Sequence, residues 1–449
     1  MTLPDILISF FSFVFAISVL VAIHEFGHYI VGRYFGIKVL RFSIGFGRPI
    51  YSYVSKDKDQ TEYCLSLIPL GGYVQFLDSR NNEIDVVDKG RAFTDQSIFS
   101  RIAVLLAGPL FNFFFAIIAY FFIFSSGVMT MKPIIGEVIG NSYAANAGMQ
   151  YGDRIIMVDG EVVNDWEATI TSIMKALVVE KDLKFQIESE NQNKKIINIS
   201  IKEDRVYFTE PGNLFNGLGF SPWQPPAVVG EVSMNSPAYK AGLSKGDKIL
   251  SINGDEINSF NELRSNISTK PGQLITMIYE REDRVNTINI ELGQTDDKDI
   301  KGFLGVGYTE NFEKYFYLDR SNPIVAIKKS FVQTWNTASF TVSMFLNMLS
   351  GDVSSKNISG PLSIAKYAGL SVSAGVNQFL KFLALISISL GVINLMPIPV
   401  LDGGQIVHQS IEWVRGKPLS ARFELLSQQF GIIAILILMS LAFYNDLFG

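Results

Sequence analysis

Four long segments of this chain carry no charged residue, and they constrain its fold more than any other feature. They comprise residues 6–23, 102–131, 382–401 and 425–444. Each can cross a hydrocarbon core of about 30 Å as a helix. Charged residues make up only 18% of the 449 residues, against about 25% in ordinary soluble domains. The sequence therefore predicts a multi-pass α-helical membrane protein with four transmembrane helices.

Basic residues predict the orientation of these helices. They are concentrated between the first two segments and in the short loop between the last two: Arg33, Lys38, Arg41, Arg48, Lys56, Lys58, Arg80, Lys89, Arg91, Arg101, Arg415, Lys417 and Arg422. Short basic loops stay in the cytoplasm, so both termini and the central region are predicted to lie outside. The first segment has no basic residue before it and no small-residue cleavage site after it, which disfavours a signal peptide.

A fifth charge-free stretch, residues 331–349, contains many Ser, Thr, Asn and Gln residues. This composition favours a helix that lies in the interface or packs beside the spans. The net charge of −5 and pI near 5.5 exclude nucleic acid as an expected partner. The single cysteine, Cys64, excludes an internal disulfide framework and a thiolate metal cage.

The region from about 132 to 310 is turn-rich, strand-like and internally repeated. Its matches all share an offset of 94 residues, for example Gly136 with Gly230 and Gly148 with Gly242. Ala-Gly-(Met/Leu) before Gly-Asp predicts a short helix that ends in a turn. Asp159-Gly160 and its repeat Asn253-Gly254 are typical of type I′ hairpin turns.

This repeat resembles a tandem pair of PDZ domains. In each domain the carboxylate-binding loop would come last, as in a circularly permuted PDZ domain. The loop of the first domain comprises Gly217, Leu218, Gly219 and Phe220, and the loop of the second comprises Gly302, Phe303, Leu304 and Gly305. A PDZ groove binds an extended peptide by strand addition. A spacer or size filter without tight peptide binding remains the alternative.

The pattern His24-Glu25-Phe26-Gly27-His28 matches H-E-x-x-H. Residues four apart lie on one face of a helix, so both imidazoles can bind one zinc ion while Glu25 serves as general base. Two structural histidines with a solvated glutamate are the alternative. Burying three such side chains directly after an apolar run is expensive, which favours the metal site.

Asp402 is the preferred third metal ligand, with His408 as the other candidate. Asp402 follows Pro397 and Pro399, which are expected to break the third span, and precedes two glycines. With four spans, Asp402 falls at the same depth as the two histidines. A crossing by residues 331–349 would put it on the opposite side. His408 is expected to be a cytoplasmic surface residue.

These motifs together resemble the site-2 protease family, the M50-type intramembrane zinc metalloproteases. The tandem insert narrows the resemblance to the RseP-type bacterial regulator-of-sigma-E proteases. Further matching motifs run along nearly the whole chain: Phe42-Ser43-Ile44-Gly45-Phe46-Gly47, Pro69-Leu70-Gly71-Gly72-Tyr73, Ala107-Gly108-Pro109 and Ser359-Gly360-Pro361-Leu362.

The resemblance implies one zinc ion per chain, bound by His24, His28 and Asp402, and Glu25 as base. It implies that Asn394 contacts the substrate backbone. The implied substrates are single-span membrane proteins: an anti-sigma factor after a first periplasmic cleavage, and remnant signal peptides. The implied location is the bacterial inner membrane, in contact with the lipid bilayer, with periplasmic PDZ domains and an active site toward the cytoplasm.

A transmembrane helix must be unwound before it can be cleaved, because its carbonyls are hydrogen-bonded internally. Alternating apolar residues predict strand pairs between the first two spans, and the family has a membrane-re-entrant β-hairpin there. We expect an edge strand at Leu65, Ser66, Leu67 and Ile68 to hold the unwound substrate. A simple cytoplasmic loop is the alternative.

The predicted division has nine parts. These are the first transmembrane helix (1–35), the cytoplasmic-side re-entrant β region (36–96), the second transmembrane helix (97–131), PDZ domain 1 (132–221), PDZ domain 2 (222–310), interfacial linker helices (311–375), the third transmembrane helix (376–404), a cytoplasmic loop (405–424) and the fourth transmembrane helix (425–449).

Two other classes compete with a protease. A catalytically silent scaffold presenting two PDZ modules has no need of Glu25. A metal transporter is disfavoured because no second intramembrane acidic pair is visible in the sequence.

Overall fold

The computed structural model describes residues 3–80, 84–179, 182–201, 205–295, 300–308 and 312–448. Residues 1, 310, 311 and 449, where predicted segments begin or end, lie outside these ranges. The chain forms two compact units. The helical unit comprises Met1–Val128, Thr209–Pro211 and Leu318–Gly449, and the insert unit comprises Met129–Phe208 and Gly212–Tyr317.

The helices, in chain order, are α1 Leu3–Tyr34, α2 Ile98–Ser126, α3 Tyr143–Asn146, α4 Trp166–Val178, α5 Arg205–Thr209, α6 Asn213–Leu218, α7 Pro237–Lys240, α8 Phe260–Ser268, α9 Phe312–Tyr315, α10 Pro323–Ser350, α11 Pro361–Ser373, α12 Val376–Asn394, α13 Asp402–Arg415 and α14 Ala421–Phe448.

The strands are β1 Val39–Val54, β2 Glu62–Phe76, β3 Val128–Met131, β4 Ile135–Val138, β5 Arg154–Val158, β6 Glu161–Val162, β7 Leu183–Glu188, β8 Lys194–Ile199, β9 Phe220–Pro222, β10 Glu231–Val232, β11 Lys248–Ile252, β12 Asp255–Glu256, β13 Leu274–Arg281, β14 Arg284–Glu291, β15 Gly293–Gln294, β16 Gly302–Phe303, β17 Val306–Gly307 and β18 Phe316–Asp319.

Four of the described helices are long and apolar enough to cross a membrane: Pro4–Tyr34, Ile98–Ser126, Val376–Asn394 and Arg422–Phe448. The four predicted spans are therefore present as helices, with two corrected bounds. α2 ends at Ser126, where Gly127 leaves the helix, and not at residue 131. α12 ends at Asn394 and not at residue 404, because the proline-containing segment that follows is not helical.

The predicted cytoplasmic loop 405–424 is wrong as a description of structure, because α13 occupies most of it. Its first residue is Asp402. The backbone of the preceding segment packs so closely on α13 that a Cβ on Gly403 would lie 2.3 Å from the Leu395 carbonyl oxygen. A Cβ on Gly404 would lie 2.1 Å from the Ile398 oxygen. The glycine pair therefore lets α13 begin directly against the broken segment.

Helix α10 contains the fifth charge-free stretch and packs beside α2 and α12. It starts next to the last turn of α2, where the Ser321 amide donates to the Phe124 carbonyl. The residues that follow α10 contact the last turn of α14, where Asn445 donates to the Ile358 carbonyl at 3.0 Å. The Asn377 side chain, at the start of α12, donates to the Gly127 carbonyl at the end of α2, and Gly431 in the first half of α14 packs on Val400 beyond the end of α12. Helices α12 and α14 therefore run in opposite directions, so the start of α10 and the segment that follows α10 lie at the same end of the helical unit.

Strands β1 and β2 form a twisted hairpin whose segments pair more than once. Residues 41–44 have partners in 62–65 on one side and in 72–75 on the other. Residues 62–65 are paired a second time with 51–54. The lateral order is therefore 51–54, 62–65, 41–44 and 72–75, so the outer segments are 51–54 and 72–75.

Ion pairs fix the base of this hairpin. Arg33, at the end of α1, donates to Asp57 at 2.8 Å. Arg91 pairs with Asp59. Lys38 donates to Asp88 at 2.6 Å, and this bond lowers the pKa of the Asp88 carboxyl. In contrast, the distal part of β1 is exposed and apolar, with residues such as Ile50 and Tyr51 both 66% exposed.

The insert unit contains the predicted repeat as two equivalent four-stranded sheets. Their orders are β6-β5-β7-β8 and β12-β11-β13-β14. Both predicted type I′ turns are confirmed, because Asp159-Gly160 and Asn253-Gly254 have positive φ at both positions. The second sheet packs on a core that includes Ile249, Met277 and Ile290.

The two proposed carboxylate-binding loops are built alike but differ in register from the prediction. The Gly219 carbonyl accepts from the Ile139 amide, and the Gly305 carbonyl accepts from the Ser233 amide. Gly305 is thus the equivalent of Gly219, so the counterpart of 217–220 is 303–306. Gly217 and Leu218 end helix α6, while Gly302 and Phe303 form β16. Leu218 and Leu304 are both buried.

Candidate metal centre

Three side chains from distant parts of the chain meet in the helical unit. His24 Nε2 lies 3.1 Å and His28 Nε2 lies 3.4 Å from Asp402 Oδ2. The two Nε2 atoms are 3.2 Å apart. The three ligand atoms therefore all lie within 4.8 Å of one another. His24 and His28 are buried, and Asp402 is largely buried.

Close contact between α1 and α2 brings the two histidines to this position. A Cβ on Gly27 would lie 2.5 Å from the Ala107 carbonyl oxygen. A Cβ on Gly108 would lie 2.4 Å from His28 Nε2 and 2.8 Å from His24 Cε1. Glycine at both positions lets the helices approach closely enough for α2 to form one wall of the site. The sequence showed Gly108 as part of a motif, but not its contact with both histidines.

The histidine side chains are held through their second nitrogens. His28 Nδ1 lies 2.8 Å from the Val104 carbonyl oxygen. A carbonyl can only accept, so His28 donates from Nδ1 and keeps its Nε2 lone pair free. His24 Nδ1 lies 3.2 Å from Asn112 Nδ2. Sequence reasoning identified neither Val104 nor Asn112, since contacts across helices leave no spacing pattern along the chain.

The donor set fits a zinc ion. Two imidazole nitrogens and one carboxylate oxygen are a ligand combination used by catalytic zinc sites, which keep a fourth position open. Asp402 Oδ2 is buried and has no hydrogen-bond donor within the described residues. Such an orphaned anionic oxygen between two Nε2 atoms is expected where a cation binds.

Glu25 lies beside the cluster, buried against the hairpin. Its carboxylate lies near the Val74 backbone amide and near His24, His28 and Asp402. A Cβ on Gly72 would lie 3.2 Å from Glu25 Cγ and 2.7 Å from a Val21 methyl carbon. The outer segment 72–75 therefore runs along α1 at the site.

Of the predicted edge strand at Leu65, Ser66, Leu67 and Ile68, only Leu65 is contradicted, whereas Ser66 is paired with Pro49 alone and Ile68 with Phe46 alone among the described residues, so an edge at 66–68 stays a prediction. Leu65 is paired with both Ile44 and Tyr51, and Ser66 is buried with its hydroxyl 3.1 Å from the Ser43 hydroxyl. Alternation along the sequence identified strands, but it could not show that 62–65 are covered on both sides.

Two further predicted residues have definite positions. Asn394 is the last residue of α12 and is partly buried. The expectation that His408 is a surface residue is wrong, because the residue is only 8% exposed. His408 lies on α13 with Nε2 3.3 Å from the Ser427 hydroxyl of α14. It belongs to the packing between these helices and is not part of the metal cluster.

The family model for peptidase family M50 matches residues 12–438. The chain therefore belongs to peptidase family M50, the site-2 proteases, and is a membrane-embedded zinc metalloprotease.

Relatives match over nearly their full lengths. A Neisseria meningitidis protein whose name places it among zinc metalloproteases is 38% identical, with 97% of this chain and 98% of that protein covered. The regulator of sigma E protease of Haemophilus influenzae is 37% identical, with 97% of each chain covered. Protease RseP of Yersinia pestis is 35% identical, with 98% of this chain and 99% of that protein covered.

Among solved structures, the PDZ domain of an SdrC-like protein from Listeria monocytogenes is 25% identical. The match covers 20% of this chain and 95% of that domain, with a TM-score of 0.18. That score is too low to assign the fold of the insert unit.

Proposed function

We propose that this zinc metalloprotease cleaves peptide bonds inside the transmembrane segments of single-span proteins. The observation that carries the proposal is the convergence of His24, His28 and Asp402 among helices apolar enough to span a membrane. In this proposal these three residues bind one zinc ion, and Glu25 is the general base. Cleavage within the bilayer is expected because His24, Glu25 and His28 lie on the spanning helix α1, and Asp402 follows the broken segment at the end of the spanning helix α12.

The proposed chemistry assigns a task to each side chain. Glu25 accepts a proton from the attacking water on its carboxylate and delivers it to the nitrogen of the leaving amine. The Val74 amide orients this carboxylate, and the Val104 carbonyl orients His28 so that Nε2 faces the site. A bound zinc ion supplies the Lewis acidity that acidifies water and polarises the scissile carbonyl.

The outer segment of the hairpin is the proposed docking strand for an unwound substrate. Within the described residues, 72–75 is paired on one side only, with 41–44. The Val74 amide of this segment lies near the Glu25 carboxylate. A substrate strand added along this edge would place its backbone next to the base. Asn394 remains a proposed contact for the substrate backbone.

The proposed membrane topology has four spans, with the site toward the cytoplasm. The Asp402 contacts support it, because a crossing α10 would carry Asp402 to the opposite side from His24 and His28. The position of the start of α10 and of the segment after α10 at one end of the helical unit is consistent with this count. The basic loops support a location of the insert unit outside the cytoplasm. The resemblance to the site-2 proteases implies the bacterial inner membrane, which would make the insert unit periplasmic. The exposed apolar part of β1 would then contact lipid.

The proposed pathway is the sigma-E envelope stress response, and the name of the Haemophilus influenzae relative, regulator of sigma E protease, supports the link to sigma E. The substrates would be an anti-sigma factor already shortened on its periplasmic side, and remnant signal peptides. The two repeats of the insert unit would act as PDZ domains. Peptide capture at 217–220 and 303–306, and exclusion of bulky substrates, remain the two alternatives for their role.

The decisive test is cleavage of a single-span reporter by the purified chain in lipid vesicles. Glu25→Gln should lower the cleavage rate about 10²–10⁴-fold, the usual contribution of a general base, while zinc content stays at the wild-type level. Glu256→Gln, the same substitution at an exposed position of β12, is the matched control and should cleave normally. Cleavage that persists in Glu25→Gln would overturn the proposed function.

A further inference from the structure

Asn112 of α2 is fully buried beside the proposed metal centre. Its Nδ2 lies 3.2 Å from His24 Nδ1, and its Oδ1 is buried with no hydrogen-bond donor within the described residues. A buried carboxamide oxygen without a donor is unusual and calls for an explanation. The explanation lies in the protonation of His24.

His24 directs Nε2 toward His28 and Asp402. If Nε2 is the ligand atom, a neutral imidazole carries its proton on Nδ1. The Nδ1–H group and the Asn112 NH₂ group are then both donors and cannot bond to each other. A half-turn of the carboxamide exchanges its two ends without changing its shape. That turn places the unpartnered Oδ1 where it accepts from His24.

We propose that Asn112 is a positioning residue that accepts a hydrogen bond from His24 Nδ1 through Oδ1. This bond would fix the tautomer and the ring plane of His24, as the Val104 carbonyl does for His28. Outer partners of this kind orient ligand histidines and raise their basicity. The inference rests on the proposed metal centre, since it assumes that His24 binds the ion through Nε2.

The surroundings make Asn112 a rigid partner. The hydroxyl of Ser387, on α12, donates to the Asn112 backbone carbonyl at 2.9 Å. Neighbouring residues of α2, such as Ala116, pack in a cluster with Ile388 of α12. The backbone that carries the Asn112 side chain is thus held between the helix that carries His24 and the helix that precedes Asp402. A side chain on a backbone held in this way loses less entropy when it forms the bond.

The test is zinc affinity of the purified full-length chain, measured by competition with a chromophoric chelator. Asn112→Leu keeps a similar volume but removes the acceptor, and should weaken zinc binding about 10–100-fold. Asn112→Asp keeps an acceptor at the same place and should recover most of that loss. Asn112→Ala removes the acceptor without adding bulk, so it serves if the leucine variant fails to fold. Asn336→Leu, at an exposed position of α10, is the matched control.

The thermal midpoint of the metal-free protein separates positioning from packing. We expect Asn112→Leu to leave that midpoint near the wild-type value while its zinc affinity falls. Wild-type zinc affinity in Asn112→Leu or Asn112→Ala would overturn the inference, as would an equal loss in Asn112→Asp. If the wild-type chain binds zinc and needs His24 for it, these results overturn the role of Asn112 alone. A wild-type chain that binds no zinc would overturn the proposed centre as well.

Discussion

Glycines beside the metal centre have a different role from glycines at the exposed turns of the insert unit. In the helical unit, Gly27, Gly72 and Gly108 lie where a Cβ would overlap atoms of another element within 3 Å. In the insert unit, Gly148 and Gly242 have positive φ, and a Cβ added at either would meet no atom within 4 Å. The first group sets how closely elements approach around the metal centre, and the second group lets the chain turn.

This difference predicts where a single methyl group will matter. Around the metal centre, an added methyl group should change the positions of the residues that bind the metal or hold the substrate. In the insert unit it should affect local stability and leave metal binding unchanged. Removing a metal ligand should have the largest effect on zinc binding of all the substitutions considered.

The largest effect is expected from Asp402→Ala. Without this carboxylate, two histidines alone remain to bind the ion, so zinc content should fall from one ion per chain to nearly none. Metal analysis after dialysis against a weak chelator measures it. Asp255→Ala, at an exposed position of β12, should retain the ion. Full zinc content in Asp402→Ala would remove Asp402 from the ligand set.

Gly108→Ala should have the next largest effect. The new Cβ would overlap His28 Nε2 and press on His24, so either the rings turn away or α1 and α2 separate. We expect much weaker zinc binding and a loss of cleavage of about 100-fold or more, as for displacements near 1 Å in an active site. Gly140→Ala has open space around its Cβ and is the control. Normal zinc affinity in Gly108→Ala would contradict the close helix contact.

Gly72→Ala should separate docking from metal binding. Its Cβ would overlap the Ser43 carbonyl oxygen and a Val21 methyl group, which moves the segment 72–75 away from α1 and Glu25. Cleavage of the reporter should fall about 100-fold, while zinc affinity stays unchanged because no ligand is displaced. Equal cleavage by Gly72→Ala and wild type would argue against this segment as the docking strand.

The smallest effect is expected in the insert unit. Gly242 has φ +80° and open space around it, so Gly242→Ala introduces only backbone strain. The insert unit should lose about 1–2 kcal/mol of unfolding free energy, measured by chemical denaturation, with zinc content unchanged. A loss of zinc in this variant would show that an added methyl group in the insert unit also affects the metal centre, against the expected difference between the two units.

Local patterns predicted much of this structure. The four spans, the spacing of His24 and His28 and the two type I′ turns each depend on residues close together in sequence, where helix and turn geometry decide the outcome. Asp402 could be proposed because it follows two prolines that break a helix. The sequence also located the start of the repeat, since β5 and β6 are followed 94 residues later by β11 and β12. It did not predict the later part, because the equivalent residues Gly219 and Gly305 are only 86 residues apart.

What could not be predicted depends on packing between distant segments. The double pairing of residues 62–65 depends on how β1 twists past β2. The same twist determines that 51–54 and 72–75 are the outer segments. The burial of His408 depends on α14 packing over α13. Asn112 looked like one polar residue in an apolar span, and only the approach of α1 to α2 shows that it lies against His24.

The most direct test of the metal centre is an anomalous difference map recorded at the zinc absorption edge from crystals of the zinc-loaded wild-type chain. The account predicts one peak per chain, about 2.0–2.1 Å from Nε2 of both His24 and His28 and about 2.0–2.2 Å from an Asp402 carboxylate oxygen. A peak at any other set of residues, or zinc-loaded crystals with no peak at this cluster, would contradict it.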